Sequence, residues 1–316
     1  MFSKSILGLT LIILVGFFLF FFIGQNRDSN EIDSSGIEAN QDSQSGENFS
    51  DIVENFISFE FNNEKKLEYK LESKRFITYV DNNKPGMMIN PTVTHYDARN
   101  GKKDYVLTSD LGWSLKSGDF LFSGSVNLES KNGEKHLMKS NSFILKRKLG
   151  EIVSNNTVKY FGVDNEMVSN GIKIKPNQNF IETIGSTEII SNNGEKILSE
   201  DVNIDKSKVN NIYSSKSPTT YISKSEKVLA QGFNYDQNST VMNLLGRSKI
   251  IQNNGAIVDS DSLIVKNKDE YKNKMYKTPN EIKYQSNNLE VNAKGMYFDS
   301  DLDTVKLIQD VKATYD

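Results

Sequence analysis

The chain opens on an uncharged apolar run, passes through a polar stretch, and then alternates apolar and polar residues almost to its end. Ser5 to Ile23, SILGLTLIILVGFFLFFFI, carries no charge. As a helix it would span about 28 Å, close to the roughly 30 Å hydrocarbon core of a bilayer. A cleaved signal peptide is the competing reading, but its apolar region runs about 7–15 residues and ends in a small-x-small site. This run ends instead in Phe20-Phe21-Phe22-Ile23-Gly24-Gln25. The pattern therefore predicts one N-terminal transmembrane helix within residues 1–24. Lys4 precedes the span, while Arg27 is soon followed by Asp28, Glu31 and Asp33. The positive-inside rule favours a cytoplasmic N-terminus and an exported body. Residues 25–48, rich in Ser, Asn, Gln and Asp, predict a flexible tether with an r.m.s. reach of roughly 27 Å.

From about residue 55 no helical period is sustained. FLFSGSVNL (Phe120 to Leu128), NGIKIK (Asn170 to Lys175) and GMYFD (Gly295 to Asp299) alternate with period two, as half-buried strands do. Asn100-Gly101, Asn132-Gly133, Asn170-Gly171, Asn193-Gly194 and Asn254-Gly255 supply positive-φ residues for tight hairpins. The expected fold class is all-β.

Spacing adds a repeat. Gly124, Gly185 and Gly246 recur every 61 residues, as do Gly133, Gly194 and Gly255, the pair Gly171 and Gly232, and the pair Pro218 and Pro279. The next unit slips by two, Gly232 reappearing as Gly295. A period of this size is a structural unit. Aligned units give apolar columns: Phe120, Ile181, Met242; Phe122, Thr183, Leu244; Leu128, Ile189, Ile250; Phe143, Ile204, Val265; Ile172, Phe233, Met296; and Ile174, Tyr235, Phe298. Neighbours such as Glu129, Lys173 and Lys175 are polar. Alternate residues of a strand share a face, so the columns predict one continuous apolar lining. Columns that run in chain order predict stacked hairpins, an elongated β-jelly roll rather than a compact barrel. Such a lining is either sealed core or, where a seam stays open, a slot for lipid chains.

Composition narrows the chemistry. Lys+Arg of 38 against Asp+Glu of 41 leaves −3, so no strong field invites nucleic acid. Cysteine is absent and His numbers two, which excludes disulfides, thiol catalysis and multi-histidine metal clusters. His95 and His136 read as surface or strand histidines, and Trp113 as a packing residue. Asp299-Ser300-Asp301-Leu302-Asp303 lacks the glycine and glutamate of a calcium loop and reads as a turn. No nucleotide loop, nucleophile elbow or Ser-His-Asp arrangement is present, so no catalytic residue, metal or cofactor is expected.

The chain resembles the LptC family, the bitopic inner-membrane component of the lipopolysaccharide export bridge. The matching stretches are Leu67 to Ser73 (LEYKLES), Asn90 to Asp97 (NPTVTHYD), Leu121 to Leu128 (LFSGSVNL), Tyr160-Phe161-Gly162 and Ser169 to Lys173 (SNGIK). They cover roughly residues 1–190 in the family's order, with an LptC-like jelly roll over 49–190. Residues 191–316 look like an LptA/OstA-type extension continuous with it. The resemblance implies a periplasmic jelly roll that takes lipopolysaccharide from an inner-membrane ABC transporter and hands it to an LptA-type jelly-roll protein. Phe120, Phe122, Leu128, Phe143, Ile172, Ile174, Ile181, Ile189, Phe233 and Tyr235 are the expected groove lining. The strand holding Val305, Leu307 and Val311 reaches Asp316 without the hairpin partner of earlier units, and is expected to pair with another module. A membrane-anchored scaffold that binds protein at strand edges without lipid is the alternative.

Overall fold

A computed structural model describes residues 49–131, 136–206, 211–267, 274–299, 302 and 304–315. The expected anchor and tether, Asn132-Gly133 and most of Asp299 to Asp303 lie outside the described residues. Among the described residues no helix is long and apolar enough to cross a membrane. The body is all-β, as its alternation predicts.

The strands open with β1 (Phe49–Phe61), β2 (Leu67–Tyr79), β3 (Gly86–Ile89), β4 (Thr92–Tyr96), β5 (Lys103–Thr108) and β6 (Leu111–Ser114). Next come β7 (Phe120–Ser130), β8 (Leu137–Lys146), β9 (Glu151–Ser154), β10 (Val158–Phe161), β11 (Asn165–Lys175) and β12 (Phe180–Ser191). Short strands follow: β13 (Lys196–Glu200), β14 (Asn203–Asp205), β15 (Ile212–Ser215), β16 (Thr219–Ile222) and β17 (Glu226–Ala230). They continue as β18 (Gly232–Asp236), β19 (Val241–Leu245), β20 (Ser248–Gln252), β21 (Ile257–Ser260) and β22 (Leu263–Asn267). The last are β23 (Lys274–Ser286), β24 (Leu289–Asp299) and β25 (Thr304–Tyr315).

All pairings are antiparallel, and a long inner strand such as β7 or β12 meets two different short strands along its two halves. In β7, Phe120–Ser123 pairs with β6 while Asn127–Ser130 pairs with β5. In β12, Phe180–Glu182 pairs with β14 and Ser186–Ile190 with β13. The result is two facing layers. The first contains β4, β5, β10, β13, β16, β17, β20 and β21; the second contains β3, β6, β9, β14, β15, β18, β19 and β22. Long strands cross from one layer to the other at a bend.

The bend explains the repeat. Gly124, Gly185, Gly246 and Gly295 stand there with φ of +77°, +68°, +64° and +80°. Asn55 in β1 and Asp310 in β25, both at φ +53°, hold the same place in the end strands. Backbone groups that the bend removes from the ladders are taken up by buried hydroxyls. Ser169 Oγ donates to the Gly171 carbonyl at 2.9 Å, Ser140 Oγ to the Thr157 carbonyl at 3.1 Å, and Ser215 Oγ to the Glu200 carbonyl at 2.6 Å. Away from the bend, every loop returns within one layer. Phe61 to Leu67 and Tyr96 to Lys103 do so in the first, and Tyr79 to Gly86 and Ser114 to Phe120 in the second. Backbone thus joins the layers on the bend side alone among the described residues, and the opposite side is a seam.

One expected hairpin is corrected. Asn170-Gly171 is no hairpin turn but the bend inside β11, where the register shifts between Ser169 and Gly171. The hairpin reading holds for Gly194 and Gly255, at φ +85° and +89° with open space around them. His95 is a strand residue of β4, as expected, and His136 stands just before β8; both are buried.

Candidate lipid-binding interior

Side chains facing inward form rows that run across strands. In the second layer one row passes from Phe120 and Leu145 through Ile152, Ile174, Ile181, Ile204, Tyr213, Tyr235, Met242, Val265, Tyr276 and Phe298 to Val305. Each member is cross-strand partner of the next. Nearer the bend lie Met88, Phe122, Phe143, Ile172, Phe233, Leu244, Leu263, Met296 and Leu307. The first layer answers with Leu71, Val93, Leu107, Leu128, Met138, Tyr160, Met167, Ile189, Ile197, Tyr221, Val228, Ile250, Val258, Tyr284, Val291 and Ala313, again paired in unbroken succession.

Of the residues expected as lining, Phe122, Phe143, Ile172, Ile174 and Phe233 have no exposed surface, and Leu128, Ile181 and Ile189 are buried. Phe120 and Tyr235 are half-buried at the seam margin. One expected column is split: Phe143 pairs with Phe122 in the bend-side row, whereas Ile204 and Val265 belong to the next row out. Val305 and Leu307 end two second-layer rows and are half-buried, while Val311 is exposed. Layers in this state lie close together. A cavity of about 10 Å³ lies among Tyr69, Val93, His95, Tyr105, Leu107, Leu128, Leu145 and Ile152.

The seam carries chemistry that alternation cannot reveal. Here the inward positions turn polar. Arg147 Nε donates to Glu60 Oε2 at 2.6 Å, and Asn165 Nδ2 donates to Tyr213 Oη at 3.1 Å. Gln237 Nε2 donates to Asp164 Oδ2 at 3.0 Å, and Lys274 Nζ to Glu195 Oε2 at 2.6 Å. The Tyr276 hydroxyl donates to Glu226, which also accepts from Ser223 Oγ at 2.6 Å. Lys206 Nζ stands 5.5 Å from the Tyr160 ring centre. Each of these contacts joins the two layers, save the one from Ser223. Burial holds Tyr221 and Tyr276 protonated by raising their phenols, and pushes Tyr235 up to about 12. Burial first, and then the Lys206 charge, lowers the His136 imidazole to about 4, beside the Tyr160 hydroxyl at 2.7 Å. On the opposite side the bend hydroxyls do recur in the sequence, Ser199 to Ser260 after 61 residues and Ser154 to Ser215 after 61.

Two facing β layers around continuous apolar rows define a stacked β-jelly roll with an apolar interior. A family model described as lipopolysaccharide-assembly, LptC-related, matches residues 9–188 and 234–316. The chain belongs to that family and is a component of lipopolysaccharide transport. The family's place is the periplasmic bridge anchored in the inner membrane. No curated protein matches the chain.

Proposed function

We propose that the protein accepts lipopolysaccharide from an inner-membrane ABC transporter and passes it toward the outer membrane with its acyl chains between the two layers. The span Ser5 to Ile23 anchors it with the N-terminus cytoplasmic and the body periplasmic. Phe120, Phe122, Leu128, Phe143, Ile172, Ile174, Ile181, Ile189, Phe233 and Tyr235 line the path, and the edge at Val305, Leu307 and Val311 meets an LptA-type module. Residues 191–316 extend the LptC-like part as an LptA/OstA-type stack. The observation that supports this reading is the unbroken row from Phe120 to Val305, which gives acyl chains an apolar partner at every strand. Burying each methylene releases about 0.8 kcal/mol, so several chains bind strongly and release needs work from a partner. Mass spectrometry of the protein purified in detergent tests it. Lipopolysaccharide is expected to co-purify, and protein free of any lipid overturns the reading. β1 favours the second reading, a scaffold that binds protein without lipid, because it exposes Phe49, Ile52, Val53, Ile57, Phe59 and Phe61 on one strand.

A further inference from the structure

A lipid carried along this interior has to keep its polar head in water. Dragging an unpaired polar or charged group through apolar rows is strongly unfavourable. The path therefore needs a slit along the stack, not just a bore. On the bend side the backbone itself crosses between layers, as in β7, β11 and β12, and no slit opens there without unfolding. On the seam side only side chains join the layers. Their charges are sorted: Arg147, Lys206 and Lys274 stand on the second layer, and Glu60, Asp164, Glu195 and Glu226 on the first. The closed interior is packed: Phe122, Phe143, Ile172, Ile174 and Phe233 expose no surface, and the cavity beside Tyr69 and His95 is about 10 Å³, against the roughly 300–1,000 Å³ of a ligand pocket. Acyl chains enter only when the layers part.

We propose that the seam is a lateral door. The cross-layer pairs are its clasps and the bends its hinge, and acyl chains pass through the parted seam. The phosphates of the lipid head then take over Arg147 and Lys274 from the carboxylates, and Lys206 from the Tyr160 ring. This rests on the reading of the interior as a lipid path, and it fixes the side on which that path opens.

The chain has no cysteine, so two can be introduced cleanly. Glu195→Cys with Lys274→Cys, bridged by a reducible bifunctional methanethiosulfonate, locks the seam in the full-length protein. Lys283→Cys with Glu290→Cys is the comparison, since that pair, 2.9 Å apart, lies within the first layer. Radiolabelled lipopolysaccharide in detergent is the probe. The seam bridge is expected to cut uptake at least tenfold, reduction to restore it, and the comparison bridge to leave it unchanged. Equal uptake by bridged and reduced protein overturns the door while leaving the lipid path standing. Absence of uptake in the unbridged and natural proteins overturns the path itself, and the door with it. Among single variants, Lys274→Gln is expected to weaken lipid binding several-fold and Glu195→Gln to speed loading. Equal changes of one sign in both overturn the role given to the cations.

Discussion

A Cβ on Gly171 would lie 2.8 Å from the Ser154 carbonyl oxygen, because β9 and β11 approach at the bend. Gly232, one unit on, is in the same position: its Cβ would meet the Ser215 carbonyl at 2.6 Å. Backbone cannot yield as a flexible side chain does. Gly171→Ala and Gly232→Ala are therefore each expected to cost about 1–3 kcal/mol, read as a lower midpoint in urea unfolding. Gly101→Ala meets nothing within 4 Å, and at φ +69° carries only the left-handed penalty of about 1 kcal/mol. Three equal losses would mean that close approach is not what these glycines serve.

The two faces of β11 should part company under charge. Ile174→Asp, or Phe122→Asp in β7, places a carboxylate where no solvent reaches, and is expected to cost several kcal/mol or to raise the carboxyl's pKa until it is neutral. Lys173 sits on the outer face, half-buried, with Glu151 at 3.7 Å and Glu182 at 4.0 Å. Lys173→Asp loses weak pairs and adds repulsion, for about 1 kcal/mol. Thermal melting of the three variants checks the assignment, and a similar loss on both faces would refute it.

Alternation and glycine spacing made the layers legible, because an apolar residue every second position and a left-handed residue every bend leave marks in one dimension. Phe120, Ile181 and Met242 do share a row, and Leu307 and Ala313 fall where the 63-residue offset puts them. The terminal bends at Asn55 and Asp310 escaped notice, since Asn and Asp also tolerate positive φ. The seam escaped for a different reason. Glu195 and Lys274 are 79 residues apart, and their meeting depends on two layers facing each other, which no local pattern encodes. Phe143 was misaligned by one row because β8 is continuous where the later unit breaks into β13 and β14.

The His136 ring gives the body an acid-sensitive element. Its imidazole titrates near 4, below the ordinary value of about 6.5 in an unfolded chain, chiefly because it is buried. Between pH 6.5 and 4 the unfolded chain binds more protons than the folded one, so stability falls as pH drops through that window. Solvent reaches part of the site, and the loss should be on the order of 1–2 kcal/mol rather than the full shift. His136→Gln is expected to flatten this part of the melting-temperature profile relative to the natural protein. An unchanged slope would place the acid sensitivity elsewhere.

The last prediction concerns the ends of the stack. Among the described residues β1 pairs only with β2 and β25 only with β24, so each offers an open backbone edge. Open edges invite strand addition unless charge or cover prevents it. β25 carries Lys306, Asp310 and Lys312 as modest guards, yet Val305 and Leu307 end two interior rows there. A strand added against β25 would continue those rows, and with them the apolar path. Photo-crosslinkers placed from Val305 to Ala313 in cells are therefore expected to yield adducts with a separate jelly-roll protein. β1, with Ile57, Phe59 and Phe61 exposed, is the rival end. Adducts to such a protein from β1 positions with none from β25 would mean that the bridge runs outward from the opposite end of the molecule.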